Sequence, residues 1–233
     1  MKINDLVELY EEKRKVYGPN VYKHISELFQ EAKEIHHKDW LKNPTTMNDH
    51  EQSWRAWKGK NLEKIVLHML RTEIESLGLR IVEGNTLERT SGQNLSKDLG
   101  QIKRNLLVDF GEFGSHLPDV DLVVYDPKTL SVLAVISSKV TLRERIAQTG
   151  YWKIKLSGDK VTEHIKVFFV TPDEDCTLAT RKPAKKGRAI VEVDTDGSYI
   201  MCPNPIEESD KVKMFDKFVD DLKKLMNPQG RLS

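Results

Sequence analysis

Long hydrophobic runs are missing from this 233-residue chain. No apolar stretch approaches the roughly 20 residues that are needed to span a bilayer. The sequence also contains no signal peptide, no internal repeat and no low-complexity segment. The length favours one substantial domain over residues 1–233, with a hydrophobic core that needs no disulfide or metal to stabilise it.

Cysteine and excess charge are scarce as well. The two cysteines, Cys176 and Cys202, lack the spacing of metal ligands and can form at most one disulfide. We therefore expect a protein of the reducing cytoplasm. The formal net charge is only +1, which argues against a histone-like protein that coats nucleic acid. It is compatible with a sequence-specific enzyme whose positive charge is local.

Two apolar runs separated by a short turn are the most informative part of the chain. Residues 118–125 begin with acids and continue apolar, and residues 132–139 are apolar up to the final lysine. Residues 126–131 are turn-like, so the runs are predicted to be neighbouring strands. Because side chains alternate along a strand, Ser137 and Lys139 should share one face.

An acid at the start of one strand and a lysine at the end of the next can meet at one point. Hydrolysis of a phosphodiester needs a carboxylate that holds Mg²⁺ and a cation near the attacking water. Asp121 directly precedes the apolar residues, whereas Asp119 belongs to a literal Pro-Asp dipeptide. We favour Asp121 as the principal ligand and Asp119 as an adjacent or alternate one. The alternative for this stretch is a buried hairpin that ends in a lysine.

A charged stretch after Lys139 opens a predicted helix. Thr141 can cap this helix, and Glu144 can complete a capping box. Arg143 and Arg145 then lie in the first turn, where the helix dipole disfavours cations by a few tenths to about 1 kcal/mol each. An outside partner, such as guanine in the DNA major groove, explains two arginines there better than helix stability does. Glu144 has two interpretations, a cap or a reader of cytosine.

These residues carry a family resemblance. The chain resembles type II restriction endonucleases of the PD-(D/E)xK superfamily, in the branch that reads CC:GG-containing sites, over about residues 60–175. The resemblance implies an α/β fold in which a central mixed β-sheet is flanked by helices, after a helical N-terminal region. The motifs that match are Asp121, Ser137-x-Lys139 and Arg143-Glu144-Arg145.

The resemblance also implies a function and a set of roles. The protein would be a Mg²⁺-dependent homodimer that cuts double-stranded DNA at a short G/C-containing palindrome and leaves 5′-phosphates. Asp121 and the carbonyl near Ser138 would hold the metal, and Lys139 would orient or activate water. The triplet of residues 143–145 would read bases. A DNA methyltransferase of the same restriction-modification system is the expected partner activity.

One position departs from the family pattern. Ser137 stands where the (D/E)xK motif has an acid, and the segment that supplies a replacement in some members, residues 150–155 here, contains none. Many nucleases of this superfamily carry a glutamate on the helix before the catalytic strands. Glu63, on a helix predicted to begin at Gly59, is similar in position and is our candidate third ligand. The alternative is an acid that the dipole favours in a first helical turn.

The chain is divided into three regions. Residues 1–58 form a helical N-terminal region, residues 59–178 the catalytic core, and residues 179–233 a basic loop, a hairpin and a C-terminal helix. The loop is interpreted either as a solvated segment or, beside a nuclease site, as a clamp on DNA phosphates. The cations predicted to contact phosphates are Arg181, Lys182, Lys185, Lys186 and Arg188.

Three stretches have weaker patterns. The hairpin is predicted over residues 188–202, and the amphipathic last helix over residues 212–225. Residues 84–116 are predicted to be an ordinary surface loop, and the alternative is a loop that reaches the substrate.

Two other function classes stay open. A structure-specific or repair nuclease of the same superfamily would keep Asp121 and Lys139 but would not need base-reading arginines. A cleavage-inactive DNA-binding module would explain Ser137 as decay of the active site. Digestion of a defined plasmid with Mg²⁺ separates the three possibilities.

Overall fold

The computed structural model describes residues 1–42, 49–89, 94–141 and 145–226. The α-helices are α1 Ile3–Tyr17, α2 Ile25–Lys42, α3 His50–Ser76, α4 Gly84–Arg89, α5 Lys97–Leu106, α6 Arg145–Ser157, α7 Lys186–Asp194 and α8 Phe218–Met226. The strands are β1 Arg80–Glu83, β2 Val108–Asp109, β3 Ser115–His116, β4 Leu122–Tyr125, β5 Val132–Ser138, β6 Lys166–Thr171, β7 Gly197–Ile200 and β8 Val212–Met214. In the described ranges, no helix combines the length and apolarity that crossing a membrane requires.

A six-stranded mixed sheet forms the centre, in the order β1-β4-β5-β6-β7-β8. The pairs β1–β4 and β4–β5 are antiparallel, and β5 to β8 run parallel to one another. The strand pair predicted around residues 126–131 is confirmed, because Asp126 N–H donates to the Ser131 carbonyl at 3.0 Å and closes the turn. The helices α6 and α7 supply the crossover connections that parallel strands need.

Helices cover both faces of this sheet. Leu122 and Ile136 belong to a core shared with α1, α2, α3 and α8, whereas Val123 and Val135 belong to a second core that includes residues of α5 and α6. The predicted central mixed sheet with flanking helices and a helical N-terminal region is therefore confirmed. The β4–β5 register shifts between Val124 and Tyr125, which is a local irregularity of the kind that bulges produce.

Helix α3 forms one wall of the candidate active site, because it carries Glu63. The Asp49 side chain caps it by accepting the Glu51 N–H at 2.9 Å. The prediction that this helix begins at Gly59 is wrong, because it begins at His50, more than three turns before Glu63. Since the dipole effect falls off within the first turn, it no longer accounts for Glu63. An apolar stripe of this helix is buried, and it contains Leu62, Ile65, Val66, Leu70 and Ile74.

The C-terminal region differs from the prediction. The predicted hairpin is wrong, because α7 replaces its first strand and β7 lies parallel to β6. This segment is helical rather than extended because Arg188 and Val191, three residues apart, are buried together on one face of the helix. The last helix begins at Phe218, and Val212 belongs to β8. The prediction of a surface loop over residues 84–116 is also wrong, since that stretch contains α4, α5 and the β2–β3 pair.

Candidate active site

Asp121 and Lys139 meet at one edge of the sheet. Asp121 directly precedes β4 and Lys139 directly follows β5, and these strands are antiparallel neighbours. Lys139 Nζ lies 2.8 Å from both carboxylate oxygens of Asp121. The Ser138 N–H donates to Asp121 Oδ2 at 2.5 Å, and the Lys139 N–H donates to the Val170 carbonyl at 3.2 Å. The structure thus brings together the acid and the lysine that the strand pattern places at one point.

The backbone of Asp121 is held by two neighbours. Its N–H donates to the Ile136 carbonyl at 3.1 Å, and its carbonyl accepts the Gly84 N–H at 2.8 Å. A Cβ on Gly84 would lie 1.9 Å from the Val120 carbonyl oxygen, so only glycine allows α4 to begin this close to the Asp121 segment.

Helix α3 carries Glu63 to the same point. Burial first, and then the charge and a hydrogen bond of the neighbouring Asp121 carboxylate, together raise the pKa of Glu63 to about 8, whereas Lys139 opposes the shift. Two carboxylates this close cannot both ionise easily in a half-buried site. Near neutral pH, Glu63 therefore keeps its proton as long as no further cation is present.

This carboxylate pair fits a hard divalent cation. Mg²⁺ takes oxygen ligands and is commonly held by one or two carboxylates with several waters. Asp121 Oδ2 accepts hydrogen bonds from the Ser138 N–H and from Lys139 Nζ, and Oδ1 accepts one from Lys139 Nζ, so the lone pair that remains for a metal is on Oδ1. Beside them, Ser138 Oγ is buried and has no hydrogen-bond partner within the described chain. No group of three or more His, Cys, Asp or Glu side chains suited to a metal occurs among the described residues, so water would complete the coordination.

The other predicted members of the site are Asp119 and Ser137. Asp119 is exposed, and its carboxylate accepts a hydrogen bond from Gln148 Nε2 at 2.6 Å. Ser137 is buried in β5 and contributes no carboxylate. Glu83, at the end of β1, was not predicted from the sequence as a residue of the site. Its negative charge contributes to the raised pKa of Glu63. Only the pairing of β1 with β4, which sets Glu83 opposite Leu122, shows that it lies at this edge.

A cleft of about 800 Å³ opens onto Glu63 and Lys139. Thr141 also lines it and is the last described residue before the predicted base-reading triplet. Arg143 and Glu144 lie outside the described residues, as does the side chain of Arg145, the first residue of α6. The cations that line the cleft are Lys33, Arg55, Lys58, Lys60, Arg89 and Lys139.

The basic segment at residues 181–188 is only partly available to a ligand. Arg188 is 0% exposed, and its guanidinium donates to Glu192 Oε1 at 2.9 Å, to the Glu207 carbonyl at 2.8 Å and to the Leu178 carbonyl. The predicted phosphate contact of Arg188 is therefore wrong, because a buried guanidinium with three partners holds the fold together. Lys185 Nζ donates to the Cys176 carbonyl at 3.0 Å. The exposed side chains of this segment include Arg181, Lys182 and Lys186.

We expect Arg188→Ala to lower the free energy of unfolding by about 2–4 kcal/mol, because it removes a fully buried side chain and leaves the buried Leu178 carbonyl and the partly buried Glu207 carbonyl without their donor. Urea denaturation measures the change. Lys186→Ala is the matched control, since that side chain is exposed at the start of the same helix and its loss should cost no more than about 0.5 kcal/mol. Equal stabilities of the two variants would contradict a structural role for Arg188.

Comparisons with known proteins agree on one family. Residues 98–221, more than half of the chain, match the family described as BsaWI restriction endonuclease type 2. A protein of Methanocaldococcus jannaschii assigned as the type II restriction enzyme MjaVIP is 32% identical over 227 residues, which cover 95% of this chain and 93% of that protein. A Helicobacter pylori protein assigned as the type II restriction enzyme HpyAORF263P is 31% identical over 72% of this chain and 89% of its own length.

The fold has a relative among solved structures. The restriction endonuclease PspGI, solved with substrate DNA, is similar with a TM-score of 0.57 and 15% sequence identity, over 98% of this chain and 96% of that chain. At this identity the likeness concerns the fold alone. The resemblance and the structure point to the same α/β architecture.

Proposed function

Because this chain belongs to the type II restriction endonuclease family, whose members are site-specific nucleases, we propose that it cuts double-stranded DNA at a short G/C-containing palindrome in a Mg²⁺-dependent reaction. The observation that carries this proposal is the Asp121–Lys139 contact at 2.8 Å, with Glu63 beside it at the end of a cation-lined cleft. A cleavage-inactive DNA-binding module would not need this arrangement.

The residues divide the chemistry between them. Glu63 and Asp121 would hold Mg²⁺, with Ser138 next to them. When bound, Mg²⁺ supplies positive charge that polarises the phosphate and lowers the pKa of a coordinated water. Lys139 orients the attacking water and stabilises the negative charge that grows on the phosphate oxygens. Water attacks phosphorus in line and the 3′-oxygen leaves, so the product carries a 5′-phosphate.

Recognition would come from the stretch that follows Lys139. Thr141 places the start of this stretch on the cleft wall, so Arg143, Glu144 and Arg145 are close in sequence to the site of cleavage. Arginine reads guanine by two hydrogen bonds, and a carboxylate accepts one from cytosine, which gives a G/C-containing site. A palindrome is read by a two-fold symmetric dimer in which each subunit cuts one strand. We therefore infer a homodimer.

The cellular setting follows from the same proposal. An enzyme that cuts unprotected DNA at short sites requires a DNA methyltransferase that modifies the same sites in the host. We expect both activities in the cytoplasm, where the free thiols of Cys176 and Cys202 also stay reduced.

Digestion of a plasmid of known sequence tests the function. We expect discrete fragments that appear with Mg²⁺, disappear with a chelator and carry 5′-phosphates that a phosphatase removes. Cleavage that occurs only at mismatches or junctions would instead establish a repair-type nuclease. Specific binding without any cleavage would establish a DNA-binding module.

A second experiment tests the base readers. Arg143→Ala and Arg145→Ala should each narrow the gap between cognate and non-cognate binding by about 1–3 kcal/mol, because each removes a bidentate contact to guanine. Competition binding with cognate and scrambled duplexes measures this gap. Glu144→Gln separates the two roles of that residue, since glutamine still completes a capping box but is no longer a carboxylate. Unchanged site preference in both arginine variants would exclude base reading by this triplet.

A further inference from the structure

Gly59 is a feature of α3 that internal packing does not explain. It lies within the helix, one turn from both Arg55 and Glu63, so the three residues share a helix face. A Cβ at Gly59 would meet nothing within 4 Å, so no contact inside the protein excludes alanine. Glycine also weakens a helix interior relative to alanine. Such a position suits the close approach of a ligand from outside, and Gly59 lines the cleft.

Some cations around Gly59 are paired with an acid, and others are not. Lys58 Nζ is paired with Glu174 at 2.6 Å, and its charge is therefore already neutralised. Lys60 on α3 and Arg89 at the end of α4 line the same cleft, are exposed, and form no ion pair within the part of the chain that the structure describes. Unpaired cations that flank an open path match the chemistry of a sugar–phosphate backbone.

We propose that the DNA strand to be cut crosses α3 over Gly59, and that Lys60 and Arg89 bind its phosphates and guide it to Lys139. This inference rests on the proposed function and deepens it, because it assigns the path of the substrate. It also adds to the phosphate contacts that were assigned from the sequence, which apart from Arg188 stay predictions. Those contacts were predicted at residues 181–188, none of which lines the cleft.

The salt dependence of DNA binding tests the cations. In metal-free buffer, Lys60→Ala and Arg89→Ala should each reduce the slope of log affinity against log salt by about 0.9, the value for one lost phosphate contact. The double variant Lys58→Ala/Glu174→Ala is the matched control in the same cleft, because it removes a cation together with the carboxylate that neutralises it. Lys15→Ala, an exposed cation of α1 that does not line the cleft, is the distant control. Both controls should change the slope by less than half as much.

A substitution at Gly59 tests the path itself. Gly59→Ala should raise Tm by roughly 1–4 °C, because alanine is the better helix former. It should also weaken DNA binding by about tenfold, because the added methyl group stands where the strand passes. Gly100→Ala is the matched control in the interior of α5: its Cβ would meet only the end of the Arg104 side chain at 3.7 Å, and the position does not line the cleft. That variant should gain stability and bind DNA normally.

The outcomes separate this inference from the proposed function. If the unchanged protein cuts plasmid into discrete fragments but Gly59→Ala binds DNA normally, the path over Gly59 is wrong and the function stands. Unchanged salt slopes in Lys60→Ala and Arg89→Ala overturn the phosphate contacts in the same way. If the unchanged protein binds DNA through these cations but never cuts it with Mg²⁺, the nuclease function fails while the binding path is supported.

Discussion

Lys139→Ala is expected to abolish cleavage while DNA binding stays close to that of the unchanged protein. Lys139 lies 2.8 Å from both oxygens of Asp121 and is placed to act on the charge that develops during attack on the phosphate. An interaction that is stronger in the transition state than in the ground state raises the rate more than it raises the affinity. Loss of one such electrostatic contact costs about 10²–10³-fold in rate, and more where it also orients water.

Single-turnover cleavage of a plasmid, measured beside binding of a labelled duplex, checks this expectation. The double variant Lys58→Ala/Glu174→Ala is a useful control, because it removes a lysine of the same cleft together with the carboxylate that neutralises it. Its cleavage rate should stay within a few-fold of the unchanged protein. Rapid cleavage by Lys139→Ala would remove the β4–β5 edge from the active site. A parallel loss of binding and cleavage would make Lys139 a contact of the bound DNA instead.

Glu63→Gln is expected to have two opposite effects, a strong loss of Mg²⁺-dependent cleavage and a gain in stability of the metal-free protein at slightly alkaline pH. The folded-state pKa of Glu63 is raised from 4.5 to about 8, mainly by burial and by Asp121. Between these values the folded state binds more protons than the unfolded state. The metal-free protein should therefore lose stability as pH rises from about 5 to about 8. Glutamine has no proton to lose, so the variant should lack this part of the pH dependence.

Urea denaturation with a chelator, repeated across this pH range, measures the stability, and cleavage across a Mg²⁺ series measures the metal requirement. Glu73→Gln is the matched control, because Glu73 is an exposed acid on the same helix. Metal binding must displace the Glu63 proton, so the apparent Mg²⁺ affinity should increase with pH in the unchanged protein. Asp121→Ala should lose cleavage as well. A Glu63→Gln protein that cuts normally at every Mg²⁺ concentration would exclude Glu63 from the metal site.

Local patterns in the sequence determined a large part of the fold. The β4–β5 pair could be predicted because strand alternation and turn chemistry depend on residues close in the chain. The turn after β6 is also held by residues close in the chain, since Asp173 accepts the backbone N–H groups of Thr177 and Leu178 at 2.9 and 2.8 Å. The meeting of Asp121 with Lys139 follows from the same local logic, since a short turn brings opposite strand ends together.

Other features depended on contacts between distant residues. Residues 188–193 contain the β-branched residues of a strand, yet they form α7 because Arg188 and Val191 bury together against elements that lie elsewhere in the sequence. Glu83 and Gly84 reach Asp121 only through the pairing of β1 with β4. Burial determines the structure of such segments and the neighbours of such residues. It depends on how the sheet and the helices assemble, which a short stretch of sequence does not show.

By itself, the sequence determined which chemical groups we propose for the site: a carboxylate, a lysine and an arginine-rich stretch in one short segment. Only the tertiary structure decided which of its charges are free to act. Arg188 is a cation in the sequence but a buried structural donor in the fold, whereas Lys60 and Arg89 carry no motif and line the cleft. The reason is physical: a charge acts on a ligand only where the fold leaves it exposed and without a counter-ion, and residues far apart in the chain set both conditions.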